Sequence, residues 1–146
     1  MKQAHFIAAA AALIVAGTVP AQATSPATSL ATAQADATRT ERVQFARGHS
    51  SATITGELRG YDTVDYRIGV RAGQTVHVSM RGSNASGYFN VSADNDPEAI
   101  FVGSMEGNTF TGASPITGDL VVRIYLMRNA ARRGEHLNYS LVIAAH

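Results

Sequence analysis

Apolar residues recur at every second position along most of this chain. In residues 51–58, Ala52, Ile54, Gly56 and Leu58 share one face. In residues 64–70, Tyr66, Ile68 and Val70 oppose Asp65, Arg67 and Gly69. Val76, Val78 and Met80 alternate with Thr75, His77 and Ser79. Leu120, Val122, Ile124 and Leu126 alternate with Val121, Arg123, Tyr125 and Met127, and Leu137, Tyr139, Leu141 and Ile143 repeat the pattern near the C-terminus. A shorter alternation, Val43 and Phe45 against Gln44 and Ala46, opens the series. Period two predicts strands with one face in a core and the other in water.

Short Gly-containing segments at 59–62 and 71–74 suit hairpins. Residues 95–98 and 114–119 are further breaks, each containing Pro. No window of ten or more residues carries a helical period. The expectation is an all-β antiparallel sandwich of about eight strands. Residues 83–118, with seven Gly or Pro, are expected to hold two or three short strands and long loops.

The first residues follow a different rule. Lys2 precedes an apolar run from Phe6 to Val19, closed by Pro20 and the small-residue signal Ala21-Gln22-Ala23. This is the pattern of a secretory signal peptide, with cleavage expected after Ala23 and residues 1–23 removed. At about 14 residues the run is shorter than the roughly 20 a membrane span needs. Residues 24–40 are mostly Ala, Thr and Ser, too poor in large apolar side chains to offset their ordering entropy. They are expected to form a flexible tether before a domain at 41–146.

Composition then narrows the function. The chain is 45% hydrophobic and 16% charged, a globular composition. Lys2 is the only lysine, so removing the signal leaves 11 Arg (12 minus 1) against 11 Asp and Glu. A near-neutral domain lacks the basic field of nucleic-acid binders. Cysteine is absent, which excludes disulfides, thiolate metal sites and cysteine nucleophiles.

No acid, base or nucleophile set stands out, so catalysis is not expected. His77 falls on the polar face of a strand, and no two histidines have metal-ligand spacing. Asp94, Asp96 and Glu98 alternate in a loop where carboxylates could bind calcium, but the EF-hand pattern is missing and a Pro97 turn explains the segment without metal. No metal or cofactor is therefore expected. Two polar segments are harder to place. One is Arg47-Gly48-His49-Ser50-Ser51, either a plain turn or a donor-rich surface. The other is residues 128–136, a long link between two apolar strands. If it makes one helical turn, Arg128 and Arg132 share a side and present two guanidinium forks suited to carboxylates. A solvated connection explains it as well.

Three blocks carry a resemblance: FARGHSSATITGELRGYDTVDY from Phe45, RAGQTVHVSM from Arg71, and RNAARR from Arg128 followed by NYSLVI. From about Val43 to Ile143 the chain resembles the periplasmic inhibitors of goose-type (g-type) lysozyme. The AGQ segment alone also resembles pre-peptidase C-terminal sandwich domains. The resemblance implies an eight-stranded antiparallel sandwich, a periplasmic location, and a g-type lysozyme as protein partner, bound in its substrate cleft. By matching motif it implies that Tyr61, Arg128 and Arg132 lie on the contact patch. His49, Ser50 and Asp62 fall in matching motifs and either join the patch or brace its loops. The middle, 83–118, departs from the family pattern. A glycan-binding module of the pre-peptidase type is the alternative, and the choice between monomer and homodimer stays open.

Overall fold

The computed structural model describes residues 37–146, and the expected signal peptide and most of the expected tether lie outside them. Among the described residues nine strands form two sheets. In chain order they are β1 (Thr38–Arg42), β2 (Ser51–Arg59), β3 (Thr63–Val70), β4 (Thr75–Gly82), β5 (Gly87–Ala93), β6 (Ala99–Val102), β7 (Thr109–Ala113), β8 (Gly118–Leu126) and β9 (His136–Ala145). A four-residue turn of helix, α1 (Gly103–Glu106), joins β6 to β7, and α2 (Arg128–Arg132) joins β8 to β9. One sheet runs β1-β3-β8-β5-β6 and the other β2-β9-β4-β7.

The period-two faces became the interior. Val64, Ile68, Val76, Val78, Phe89, Val91, Val122, Ile124, Leu141 and Ile143 are all buried, from both sheets. Two facing sheets that bury alternate side chains are the arrangement of a β-sandwich. The two sheets are cross-linked at Tyr66 of β3 and Tyr139 of β9, whose buried hydroxyls lie 2.7 Å apart. Room for the Tyr139 ring comes from Gly56, its register partner on β2. A Cβ at Gly56 would stand 2.6 Å from Tyr139 Cζ, so no larger residue fits without moving the ring.

The expected sandwich of about eight strands is found, and three details of the reading differ. First, there are nine strands, and one pair, β1 with β3, is parallel. The extra strand is β1, which takes Thr38–Thr40 out of the expected tether. Its residues are polar and exposed, so no apolar alternation marks it. Its backbone pairs with β3 all the same. Second, the alternation at Val43–Ala46 is not a strand. The Val43 N–H makes a last bond to the Arg67 carbonyl at 2.8 Å, and beyond it Val43 and Phe45 pack on the core with no ladder. Third, residues 59–62 and 71–74 are not hairpins. Each carries the chain from one sheet to the other, β2 to β3 and β3 to β4. Among the described residues only β5 and β6 are both consecutive and paired.

Crossing between sheets at nearly every turn gathers the connections at the two ends of the sandwich. Arg59 pairs with His136, Gly82 with Tyr139 and Gly87 with Leu126. Those registers place turn 60–62, loop 83–86, α1 and the α2 segment at one end. Ser51 pairs with Ala144 and Ala93 with Leu120, which places 43–50, 71–74, 94–98 and the C-terminus at the other. Among the described residues no helix is long and apolar enough to cross a membrane.

Candidate functional site at one end of the sandwich

Turn 60–62 and α2 are built against each other. Gly60 is buried with φ +59°, the left-handed region that glycine enters without penalty. Its N–H donates to the Glu135 carbonyl at 2.9 Å, and a Cβ on it would face the Ala131 carbonyl at 3.5 Å. The next residue, Tyr61, projects outward and is 45% exposed, the opposite of the core tyrosines. Asp62 faces inward to the first strand. Its carboxylate accepts the Ala37 N–H at 3.1 Å, and its own N–H reaches the Arg59 carbonyl at 3.1 Å. Asp62 therefore braces the turn.

The five residues of α2 show why the sequence RNAAR folds this way. Ala130 and Ala131 are buried, and their small side chains let the turn of helix sit on the end of the core. Arg128 and Arg132, four apart, are exposed on the same side. Gly134, at φ +66°, ends the turn, and its N–H bonds the Ala131 carbonyl at 2.9 Å.

The carboxylate of Glu135, just past α2, is already occupied. Glu135 accepts Asn84 Nδ2 at 2.8 Å and Arg133 Nε at 2.6 Å. The Asn84 amide, then the Arg133 guanidinium, hold its carboxyl below the usual carboxylate range. Five arginines make ion pairs among the described residues: Arg39 with Glu41, Arg42 with Asp119, Arg67 with Asp94, Arg123 with Asp65, and Arg133 with Glu135. Arg128 and Arg132 make none. Two guanidinium forks and one phenol thus share an end of the molecule without an internal acceptor. Such an end can donate to carboxylates and stack its aromatic face.

His49 and Ser50 do not join this group. They flank the start of β2 while Tyr61 follows its end, and nine strand residues span roughly 25–30 Å. Ser50 Oγ lies 3.1 Å from His146 Nδ1, and the Ser50 carbonyl accepts the Ala145 N–H at 2.9 Å. Ser50 ties down the C-terminus at the far end. The Asp94-Asp96-Glu98 loop is there too. Asp94 is held by Arg67 at 2.9 Å and Asp96 accepts the Glu98 N–H at 2.9 Å, and no group of three such ligands gathers among the described residues. His77 Nδ1 is engaged with Thr111 Oγ1 at 2.8 Å.

The sequence did not flag three other side chains at the Tyr61 end. Met105 on α1 is 84% exposed, Met127 is 37% exposed, and Arg59 stands exposed at the end of β2. Only the pairing registers bring them to this end.

The fold and this end define a small β-sandwich protein with arginine and tyrosine side chains exposed at one end. No family model matches the chain. It is 33% identical over 102 residues, 69% of its length, to the inhibitor of g-type lysozyme of Escherichia coli strain K12, 77% of which it covers. It therefore belongs to the g-type lysozyme inhibitor family, whose members are inhibitor proteins and not enzymes. The crystal structure of Aeromonas hydrophila PliG, a periplasmic inhibitor of g-type lysozyme, superposes with TM-score 0.69 at 36% identity, over 75% of this chain and 97% of that one. The pre-peptidase C-terminal domain of a Bacillus anthracis collagenase shares the fold alone, at TM-score 0.51 and 16% identity over 74% of this chain and 95% of that one.

Proposed function

We propose that this protein inhibits a g-type lysozyme in the periplasm by seating the Tyr61 end in the enzyme's substrate cleft, and so protects peptidoglycan. Residues 1–23 serve as the cleaved export signal in this reading. The observation that supports it is the packing of Gly60 on the α2 segment, which brings the turn carrying Tyr61 to the end that carries Arg128 and Arg132, while Glu135 is taken by Asn84 and Arg133. Glycosidase clefts carry paired carboxylates around the scissile bond. Arg128 or Arg132 can pair with one of them, and Tyr61 can fill a sugar subsite with its ring. Arginine and aromatic anchors dominate small tight interfaces. An arginine buried this way loses its water, so it gains only where the partner carboxylate is well aligned.

The test is a turbidity assay of g-type lysozyme on bacterial walls, with and without the mature protein. Chicken-type and invertebrate-type lysozymes are the controls. Inhibition confined to the g-type enzyme is expected. Undiminished lysis at molar excess would sink the proposal.

A further inference from the structure

We infer that the contact surface runs past the Tyr61 tip onto the outer face of β2, where Arg59 receives a carboxylate from the rim of the partner's cleft. The inference rests on the inhibitor reading above.

Arg59 is the last residue of β2, two before Tyr61, and lies opposite His136 in the ladder. Beside it opens a cleft of about 300 Å³ lined by Arg39, Glu57, Leu58, Arg59, Asp62 and His136. Two of the four charged side chains in this cleft are committed. Arg39 holds Glu41 at 2.6 Å, and Asp62 holds the Ala37 N–H at 3.1 Å. Among the described residues Arg59 is left without an acceptor, and Glu57, one step back on the same face, makes no ion pair with it.

The outer face of the five-stranded sheet is finished differently. Arg42, Arg67 and Arg123 there each close on a carboxylate, Arg123 on Asp65 through two bonds of 2.6 and 2.7 Å. Six arginines in the described residues stay unpaired: Arg47, Arg59, Arg71, Arg81, Arg128 and Arg132. Arg47 and Arg71 belong to the far end. Arg59, Arg128 and Arg132 all border the Tyr61 tip. Unpaired guanidinium groups gathered at one end, in a domain with balanced total charge, fit a partner whose facing surface is acidic. Glu57 competes with that partner, since it would face the same carboxylate across the cleft.

The experiment measures inhibition of g-type lysozyme by wild type, Arg59→Ala, Glu57→Gln and Arg71→Ala at low and at physiological salt. Melting curves check that each exposed-site variant folds. Arg59→Ala should weaken inhibition by about three- to fivefold at low salt, less at higher salt, as a partly screened ion pair would. Glu57→Gln should tighten it, and Arg71→Ala should match wild type. If wild type inhibits and Arg59→Ala equals it at low salt, the Arg59 contact is wrong and the inhibitor reading stands. If Arg71→Ala loses as much as Arg59→Ala, the effect is general charge and the contact is wrong. A wild-type protein that does not inhibit overturns both.

Discussion

Gly60 and Glu135 are joined by one backbone hydrogen bond of 2.9 Å, and that bond docks the Tyr61 turn onto the α2 segment. Gly60 holds φ +59° in that turn. The space around a Cβ is ordinary contact, 3.5 Å to the Ala131 carbonyl, so substitution costs conformational strain more than collision. Gly60→Ala should destabilise the fold by about 1–2 kcal/mol, the usual cost of left-handed backbone for a residue with a Cβ. Gly60→Asn should cost less. Urea unfolding of the three proteins checks this, and equal midpoints would show that the turn does not depend on that φ.

Arg128 and Arg132 are exposed and, among the described residues, bond to no other side chain, so truncating them should leave melting unchanged. Arg128→Ala or Arg132→Ala should weaken inhibition at least tenfold, about 1.4 kcal/mol. If both forks meet one acidic cluster, the double variant will lose less than the sum of the singles. Tyr61→Phe separates the hydroxyl from the ring, and Tyr61→Ala removes both. Unchanged inhibition constants in both arginine variants would refute the site.

How far the sequence reached depends on the residue. The strands β8 and β9 were legible because Leu120 to Leu126 and Leu137 to Ile143 alternate with almost no interruption. The strand β1 was not, since Thr38, Arg39 and Thr40 pair through their backbone with a partner 25 residues away and bury nothing. Gly60 and Gly73 announced turns, yet a turn within a sheet and one between sheets use the same glycine conformations. The spacing of Arg128 and Arg132 raised them as a pair, Tyr61 came only from a resemblance, and only the fold shows why turn and helix meet. Arg59 was invisible because an arginine before a turn is an ordinary surface residue until its lack of a partner is seen.

The placement of His49 and Ser50 follows from β2 itself. A strand of nine residues separates its flanks, so a motif before Ser51 and a tyrosine after Arg59 cannot share one small patch. His49→Ala and Ser50→Ala should therefore inhibit g-type lysozyme as wild type does. Ser50→Ala loses the contact with His146 and should lower thermal stability slightly. A drop in inhibition as large as that of Arg128→Ala would mean that a second surface touches the enzyme.

The tyrosine pair inside the sandwich makes stability depend on alkaline pH. Burial, then the hydrogen bond with Tyr66, holds the Tyr139 phenol well above its ordinary value of 10.0. The folded chain thus keeps this proton more tightly than the unfolded chain does. Its contribution is complete below the unfolded value and is lost as the pH rises above it toward the folded one. The urea midpoint should hold steady to about pH 9 and fall toward pH 11. Tyr139→Phe removes the titrating group and leaves the Tyr66 hydroxyl buried without its partner, at a cost of about 1–3 kcal/mol near neutral pH. That variant should start less stable and decline less steeply with alkali. The same alkaline slope in both proteins would place the sensitivity elsewhere.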